Sequence, residues 1–307
     1  MPDSAATRYR WRLLRAGSIK LDGGGMFGII PRPLWSRLTT PDEQGRITLS
    51  HNCLLLQAPD GQRILIESGS GNKLDAKTRA IFGLTDFTIL DALAEAECDC
   101  RQISHAIVTH LHFDHAGGLT RLGEGGASVL SFPNATIHVQ RREWEDARIN
   151  RSTMTRTYLP ENLLPIRDRL RLLESPAPFA PGHIPQRDEA PPSDAQLRQS
   201  EILPGIWALL VPGHTWGQQA IGFTDDRGRT VVFTPDVMPT IDHVGAAYNL
   251  GYDVEPFISM VTRRWLLHAA AKHDWLLVLN HEPHTPLVRA REDGKGWFKL
   301  IEITEQQ

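Results

Sequence analysis

The chain has 307 residues, 41% hydrophobic and 22% charged, with a formal net charge of −3. That balance supports one large or two small globular domains with a sizeable core, and the near-neutral charge gives no electrostatic case for nucleic acid or an anionic membrane as a partner. Cys53, Cys98 and Cys100 make no disulfide framework, residues 1–15 lack the apolar segment of a secretory signal, and no apolar run approaches the ~20 residues that span a bilayer, so the expectation is a soluble cytoplasmic protein.

Residues 9–19 alternate loosely and predict a first strand. It runs into Leu21-Asp22-Gly23-Gly24-Gly25-Met26-Phe27-Gly28, followed by Leu34-Trp35. These glycines lack the spacing of a phosphate cradle, and no Lys-Ser/Thr follows. A flexible loop is predicted instead, whose Met26, Phe27 and Trp35 are candidates for an apolar substrate wall or for core. Residues 47–57 and 62–67 predict two strands joined by the turn signal Pro59-Asp60-Gly61. Residues 89–97 have helical spacing. The apolar run 103–108 predicts a buried strand, 136–139 another, and 141–149 a charged helix with Trp144 on its apolar side.

Directly after the 103–108 run comes His110-Leu111-His112-Phe113-Asp114-His115-Ala116-Gly117-Gly118. Alternate residues of an extended chain share a face, so His110 and His112 can point at one ion. Asp114 and His115, a turn further on, can point at a second. Imidazole and carboxylate suit zinc and its first-row neighbours.

From residue 150 to 200 the composition shifts. Pro176, Pro178, Pro181, Pro185, Pro191 and Pro192 accumulate among polar residues, which predicts an irregular insertion within a single domain over 1–307. It reads as a surface excursion, with a lid over the site as the functional alternative, and its His183 as solvent-exposed. Beyond it, strands are predicted at 202–211, 219–224, 229–234, 275–279 and 296–303. A helix over 255–273 carries Phe257, Met260, Val261, Trp265, Leu266 and Ala269 on one face. Three of these strands end in a candidate ligand: His214 in Pro212-Gly213-His214-Thr215, Asp236 after Thr234-Pro235, and His281 after Leu279-Asn280. Loops at the ends of sheet strands are where such folds carry chemistry.

The set His-x-His-x-Asp-His, Pro-Gly-His-Thr, Asp after a strand and a late His resembles the dinuclear metallo-β-lactamase superfamily, from about residue 13 to the C-terminus and most weakly between 150 and 200. The resemblance implies an α+β fold, a four-layer αββα sandwich. It implies two divalent metal ions, zinc foremost, with His110, His112 and His214 on the first, Asp114, His115 and His281 on the second, and Asp236 bridging. At Ile66-Glu67-Ser68-Gly69 the family usually has Asp, so Glu67, one methylene longer, departs from the usual contact to a ligand histidine.

The two carboxylates, Asp114 and Asp236, are the candidate catalytic residues. Two divalent ions outweigh their charge even with a metal-bridging hydroxide, leaving a site that attracts a developing oxyanion. No Gly-x-Ser-x-Gly elbow is present, so hydrolysis by that hydroxide is the expected chemistry on a small-molecule substrate. The segment 23–35 and the stretch 236–253 resemble quorum-quenching N-acyl-homoserine lactonases, which implies lactone opening. Some of these carry a Tyr where this chain has Pro239; Tyr248, Tyr252 or His243 are the candidates to replace it, with Tyr248 also a candidate substrate contact. Phosphotriester and thioester hydrolysis remain open on the same metals, as do a di-iron redox centre and a non-catalytic metal-binding protein. Metal identity stays open, and so does oligomeric state, with a homodimer as one candidate.

Overall fold

The computed structural model describes residues 7–179, 183–191, 193 and 199–304. Pro181 and Pro192 of the predicted insertion lie outside these. The first half forms β1 (Arg10–Asp22), β2 (Arg46–Gln57), β3 (Arg63–Ile66), β4 (Ile103–Ile107), β5 (Thr120–Leu122), β6 (Ser128–Leu130), β7 (Thr136–Gln140) and β8 (Leu170–Leu173). The second forms β9 (Ser200–Leu203), β10 (Ile206–Leu210), β11 (Gln219–Thr224), β12 (Thr230–Thr234), β13 (Leu276–Leu279), β14 (Leu287–Glu292) and β15 (Phe298–Glu302). One sheet has the order β1-β2-β3-β4-β7-β8 and the other β15-β14-β13-β12-β11-β10-β9, while β5 and β6 form a separate hairpin.

Both main sheets are covered on two faces, and the strand sequences show why. A period of two sends successive side chains to opposite faces. Leu54, Leu56, Ile64, Ile66 and Ile107 meet Ile221, Phe223, Val231, Phe233, Leu276 and Val278 between the sheets. Their neighbours Cys53, Leu65 and Ala106 face outward into a second cluster with Leu93 and Trp144, the former on the helix Ile89–Glu95 and the latter on Arg141–Arg148. Val232, Leu277 and Leu279 face outward against Leu266, Leu267, Ala269 and Ala270 of the helix Pro256–Lys272, which has proline in its first turn. Helix, sheet, sheet, helix is the αββα order expected.

Three local expectations are corrected. The glycine-rich segment is not a flexible loop. Asp22 caps a short helix, Gly23–Phe27, by accepting from the Gly25 amide, and a second helix, Arg32–Trp35, follows. The irregular stretch also begins later than residue 150. Residues 160–163 are helical and β8 adds an edge strand, because Leu170 and Leu172 pack against the outer core. Among the described residues, 174–199 hold no helix or strand. Phe179 there packs on Trp265, with ring centroids 4.6 Å apart, and His183 is exposed beside Glu189. Phe257, expected on one face of its helix with Met260, Val261, Trp265, Leu266 and Ala269, is 44% exposed, whereas those five are buried.

Candidate metal centre

The ligand candidates stand on loops that leave the C-terminal ends of β4, β10, β12 and β13. Backbone and side-chain bonds lace these loops together across the two sheets. Ser50 and Asn52 of β2 donate their amides to the His281 and Asn280 carbonyls, at 3.0 and 2.9 Å. The Gln219 amide donates to the Thr109 carbonyl at 3.0 Å. The turn after β4 passes against the loop that follows β3, so closely that a Cβ on Gly118 would lie 2.0 Å from the Ser68 carbonyl oxygen. Only glycine allows that approach.

Three triads result. His110, His112 and His214 each offer one nitrogen, all within 4.8 Å of one another; Asp114 offers a carboxylate oxygen equally close to a nitrogen of His115 and of His281, and Asp236 joins His110 and His115 in the third triad. Asp236 lies between the first two. Its Oδ1 is 3.4 Å from both His115 Nε2 and His281 Nε2, and its Oδ2 is 3.3 Å from His214 Nε2. One carboxylate thus offers an oxygen to each side. All seven residues are buried.

Groups behind the imidazoles decide which nitrogen faces inward. His115 Nδ1 donates to Glu67 at 2.7 Å, His214 Nδ1 to Asp253 at 2.9 Å, and His281 Nδ1 to the Ser50 carbonyl at 2.9 Å. Each leaves an Nε2 lone pair toward the centre, the arrangement that orients metal-binding histidines. Glu67 therefore keeps the contact despite its extra methylene. Its backbone takes a left-handed φ of 68°, and its second oxygen accepts from the Thr109 amide at 2.5 Å. Asn280 Nδ2 donates to Asp236 Oδ1 at 2.5 Å.

The electrostatics fit a cation site. Burial disfavours charge on every histidine here. Burial and the neighbouring rings hold His110 and His112 well below the usual imidazole range. At His115 burial is outweighed by Asp236, Asp114 and Glu67, which push it well above that range. His214 and His281 are raised as well, against burial, with Asp236 the leading cause. Burial would raise Asp236, but His115, His281 and His214 pull it far below the carboxylate range. The protein thus draws positive charge to this point, and loading a metal must displace protons. His110 Nε2 is buried with no hydrogen-bond partner among the described residues, and His112 Nδ1 lies 3.0 Å from His214 Nε2. A cation seated there would engage the nitrogens that face it. The donor set fits two divalent ions.

A cavity of about 420 Å³ opens onto these ligands. Leu21, Met26, Phe82, Phe113 and Met154 give it apolar walls, and Thr153, Thr155, Arg156 and Tyr252 add polar groups. Of the four expected substrate contacts only Met26 lines it. Phe27 and Trp35 are buried behind it, stacked at 5.5 Å, with His243 stacked on the other face of Phe27 at 5.0 Å and Tyr248 edge-on at 6.0 Å. His243 is held at both nitrogens, by Thr240 Oγ1 at 2.7 Å and the Met26 carbonyl at 2.8 Å. Tyr252 reaches the cavity instead. Its hydroxyl fills the place where a Cβ on Gly25 would lie, 2.1 Å away. Burial, then Asp22 and Asp114, push its pKa up to about 12, so it stays a hydrogen-bond donor.

Sequence reasoning also passed over Glu143. It is fully buried in the first turn of a helix that looked solvated. It accepts from the Leu111 amide at 2.9 Å, Tyr158 Oη at 3.0 Å and Thr215 Oγ1 at 2.6 Å. One carboxylate thereby ties together the His110–His112 turn, the loop of His214 and Tyr158, two residues beyond the lining stretch 153–156. Burial raises its pKa, although these three donors oppose the shift.

Known proteins resemble this chain. The chain matches the family model described as the metallo-beta-lactamase superfamily over residues 46–281. It is 27% identical over 176 residues to an N-acyl homoserine lactonase of a Bacillus species, and 26% over 195 residues to that of Bacillus thuringiensis. These alignments cover 57% and 63% of this chain and only 55% and 62% of those proteins. A probable metal-dependent hydrolase from Staphylococcus aureus, 26% identical, superposes with a TM-score of 0.79 over 98% of this chain and 99% of that one. A dizinc quorum-quenching lactonase in complex with a product, N-hexanoyl-L-homoserine, shares the fold at 16% identity, with a TM-score of 0.72 over 98% and 99% of the two chains. Among the described residues no helix is long and apolar enough to cross a membrane. With the αββα order and the converging His and Asp triads in hand, the match over most of its length means that the chain belongs to the metallo-beta-lactamase superfamily.

Proposed function

We propose that this protein is a metal-dependent hydrolase that opens a lactone ring, with N-acyl-homoserine lactones as the model class. The carrying observation is that three buried His and Asp triads converge, with Asp236 between the His110–His112–His214 and Asp114–His115–His281 groups, and that members of each line a cavity with apolar walls. His110, His112 and His214 would hold one ion, Asp114, His115 and His281 the other, and Asp236 would bridge; zinc suits these donors. Divalent ions bound there supply Lewis acidity toward a carbonyl oxygen and acidify water near neutral pH.

The chain's own groups do the rest. Glu67, Asp253 and the Ser50 carbonyl keep the ligand histidines in one tautomer, so the lone pairs are aimed before substrate arrives. Met26 and Phe113 exclude water along the walls and contact an acyl chain. The protonated Tyr252 hydroxyl donates to the substrate's carbonyl or ring oxygen, the role for which Pro239 offers no group. Asp114, at the cavity wall, accepts a proton from water and returns it to the departing alkoxide. Water adds across the acyl C–O bond, and the products are a carboxylate and a hydroxyl.

The test is a hydrolysis screen of the zinc-reconstituted protein against homoserine lactones of increasing acyl length, a phosphotriester and a thioester. Lactone turnover that exceeds the others and rises with chain length supports the reading. Faster turnover of the phosphotriester with a flat acyl-length profile would sink it.

A further inference from the structure

Residues 153–156 also line the cavity, and this stretch differs in chemistry from Met26 and Phe113. Thr153, Thr155 and Arg156 are exposed and line the cavity, so they stand toward its mouth, whereas the metal-binding residues are buried at its floor. This wall is tethered. Thr153 Oγ1 donates to the Tyr252 carbonyl at 3.1 Å, Asn150 Nδ2 to the Thr155 carbonyl at 3.0 Å, and the Met154 amide to Ser152 Oγ at 3.2 Å. Tyr158, two residues on, is anchored to Glu143.

Nearby arginines are engaged. Arg142 pairs with Asp146 at 2.6 Å and Arg151 with the same carboxylate at 3.8 Å, and both lie over the Trp216 ring. Arg156 differs. Its guanidinium has no hydrogen-bond or salt-bridge partner among the described residues. Among the described residues lining this cavity it is the one Lys or Arg, and the two carboxylates there, Asp114 and Asp236, belong to the metal-binding triads. A guanidinium presents a planar fork of donors matched to a carboxylate or phosphate. Beside it, two threonine hydroxyls can donate to the same oxygens.

We propose that Arg156 is a specificity-determining residue, and that the preferred substrates carry an anionic group, a carboxylate or phosphate, on the arm remote from the bond cut. This rests on the hydrolase reading only for the identity of that bond. The apolar walls accept the spacer between the two ends, and Arg156 with Thr153 and Thr155 receives the charged terminus.

The test compares N-succinyl-homoserine lactone with its uncharged shape analogue, the 4-methylpentanoyl amide, on wild-type protein and on Arg156→Gln and Arg156→Lys. A charge-assisted bidentate contact predicts that the succinyl-to-analogue ratio of kcat/KM falls about tenfold or more in Arg156→Gln. Arg156→Lys should restore part of it, and added salt should shrink the wild-type preference. Calorimetric binding of the two ring-opened products to the zinc-loaded variants gives the same ratio without turnover. If lactones are hydrolysed but neither ratio changes in Arg156→Gln, the anionic-arm inference is overturned while the lactonase reading stands. If no lactone is hydrolysed but the binding ratio still falls, Arg156 selects the anion and the lactonase reading fails. No change in binding and no turnover overturns both.

Discussion

Removing the Glu143 carboxylate should loosen the metal centre from a position that touches no ligand side chain. In Glu143→Ala the Leu111 amide, Thr215 Oγ1 and Tyr158 Oη all lose their acceptor inside the protein. Each buried donor left unpaired costs about 1–3 kcal/mol, so three would cost roughly 3–9 kcal/mol if water does not enter. Glu143→Gln is milder. Its remaining carbonyl oxygen can still accept from Leu111 and Tyr158, and the Thr215 hydroxyl can turn to accept from the new amide, for a loss of about 1–2 kcal/mol. Urea unfolding of the metal-free protein reads these values as a shift in midpoint with the slope unchanged. Chelator competition should then show zinc affinity reduced about 10–100-fold, the range found when groups supporting a ligand are removed. An alanine variant within ~0.5 kcal/mol of the parent, with zinc affinity intact, would refute the reasoning.

The remaining expectations are simpler to state. His112→Ala, His214→Ala and His281→Ala should each lower the metal content of the purified protein, while His183→Ala and His268→Ala should not; Asp236→Asn should lower it too, and two ions per chain in that variant would rule out a bridge. His138 is buried and paired with His105 at 3.0 Å, and burial holds its pKa down to about 4 against the usual 6.5. The unfolded chain therefore takes up a proton that the folded one resists, so stability is full above pH 6.5 and falls as the pH drops toward 4, at up to about 1.4 kcal/mol per unit; His138→Leu in the metal-free protein should flatten that slope. Trp35→Ala should lower thermal stability by opening the stack on Phe27 while sparing the acyl-length trend, whereas Phe113→Ala should flatten the trend; the reverse pattern would return Trp35 to the substrate wall.

The candidate ligands and the strands covered on both faces were readable because each depends on local order, whereas the four-layer order came only from the family resemblance. Period two in Val231-Val232-Phe233 and Leu276-Leu277-Val278 states that both faces are covered, and the clusters on either side of the sheet follow. A His or Asp directly after such a run can only stand at the sheet's rim. The cavity walls are different. Met26 and Phe27 are adjacent and equally apolar, and nothing local says that one meets the cavity while the other stacks on His243, more than two hundred residues away. Leu21, Phe82 and Met154 join that wall from three separate segments. The late start of the irregular stretch was missed for a related reason. Leu170 and Leu172 alternate over too few residues to stand out beside so many prolines, and an edge strand becomes visible only once β7 pairs with it.

Glu143 falls between these cases. Its helix reads Arg-Arg-Glu-Trp-Glu-Asp-Ala-Arg, which by composition is a solvated face. Helical spacing nevertheless sets Glu143 one turn before Ala147 and beside Trp144, and both of those are buried. A carboxylate on the apolar stripe of a helix must find donors or lose its charge. Here it finds a backbone amide and two hydroxyls, two of these donors on the metal-binding loops themselves. The same reasoning separates Glu143 from Glu145, which lies off that stripe and is exposed. Glu145→Ala should therefore leave both unfolding and zinc affinity where they were, which makes it the control that ties any effect of Glu143 to burial and not to the charge of the helix.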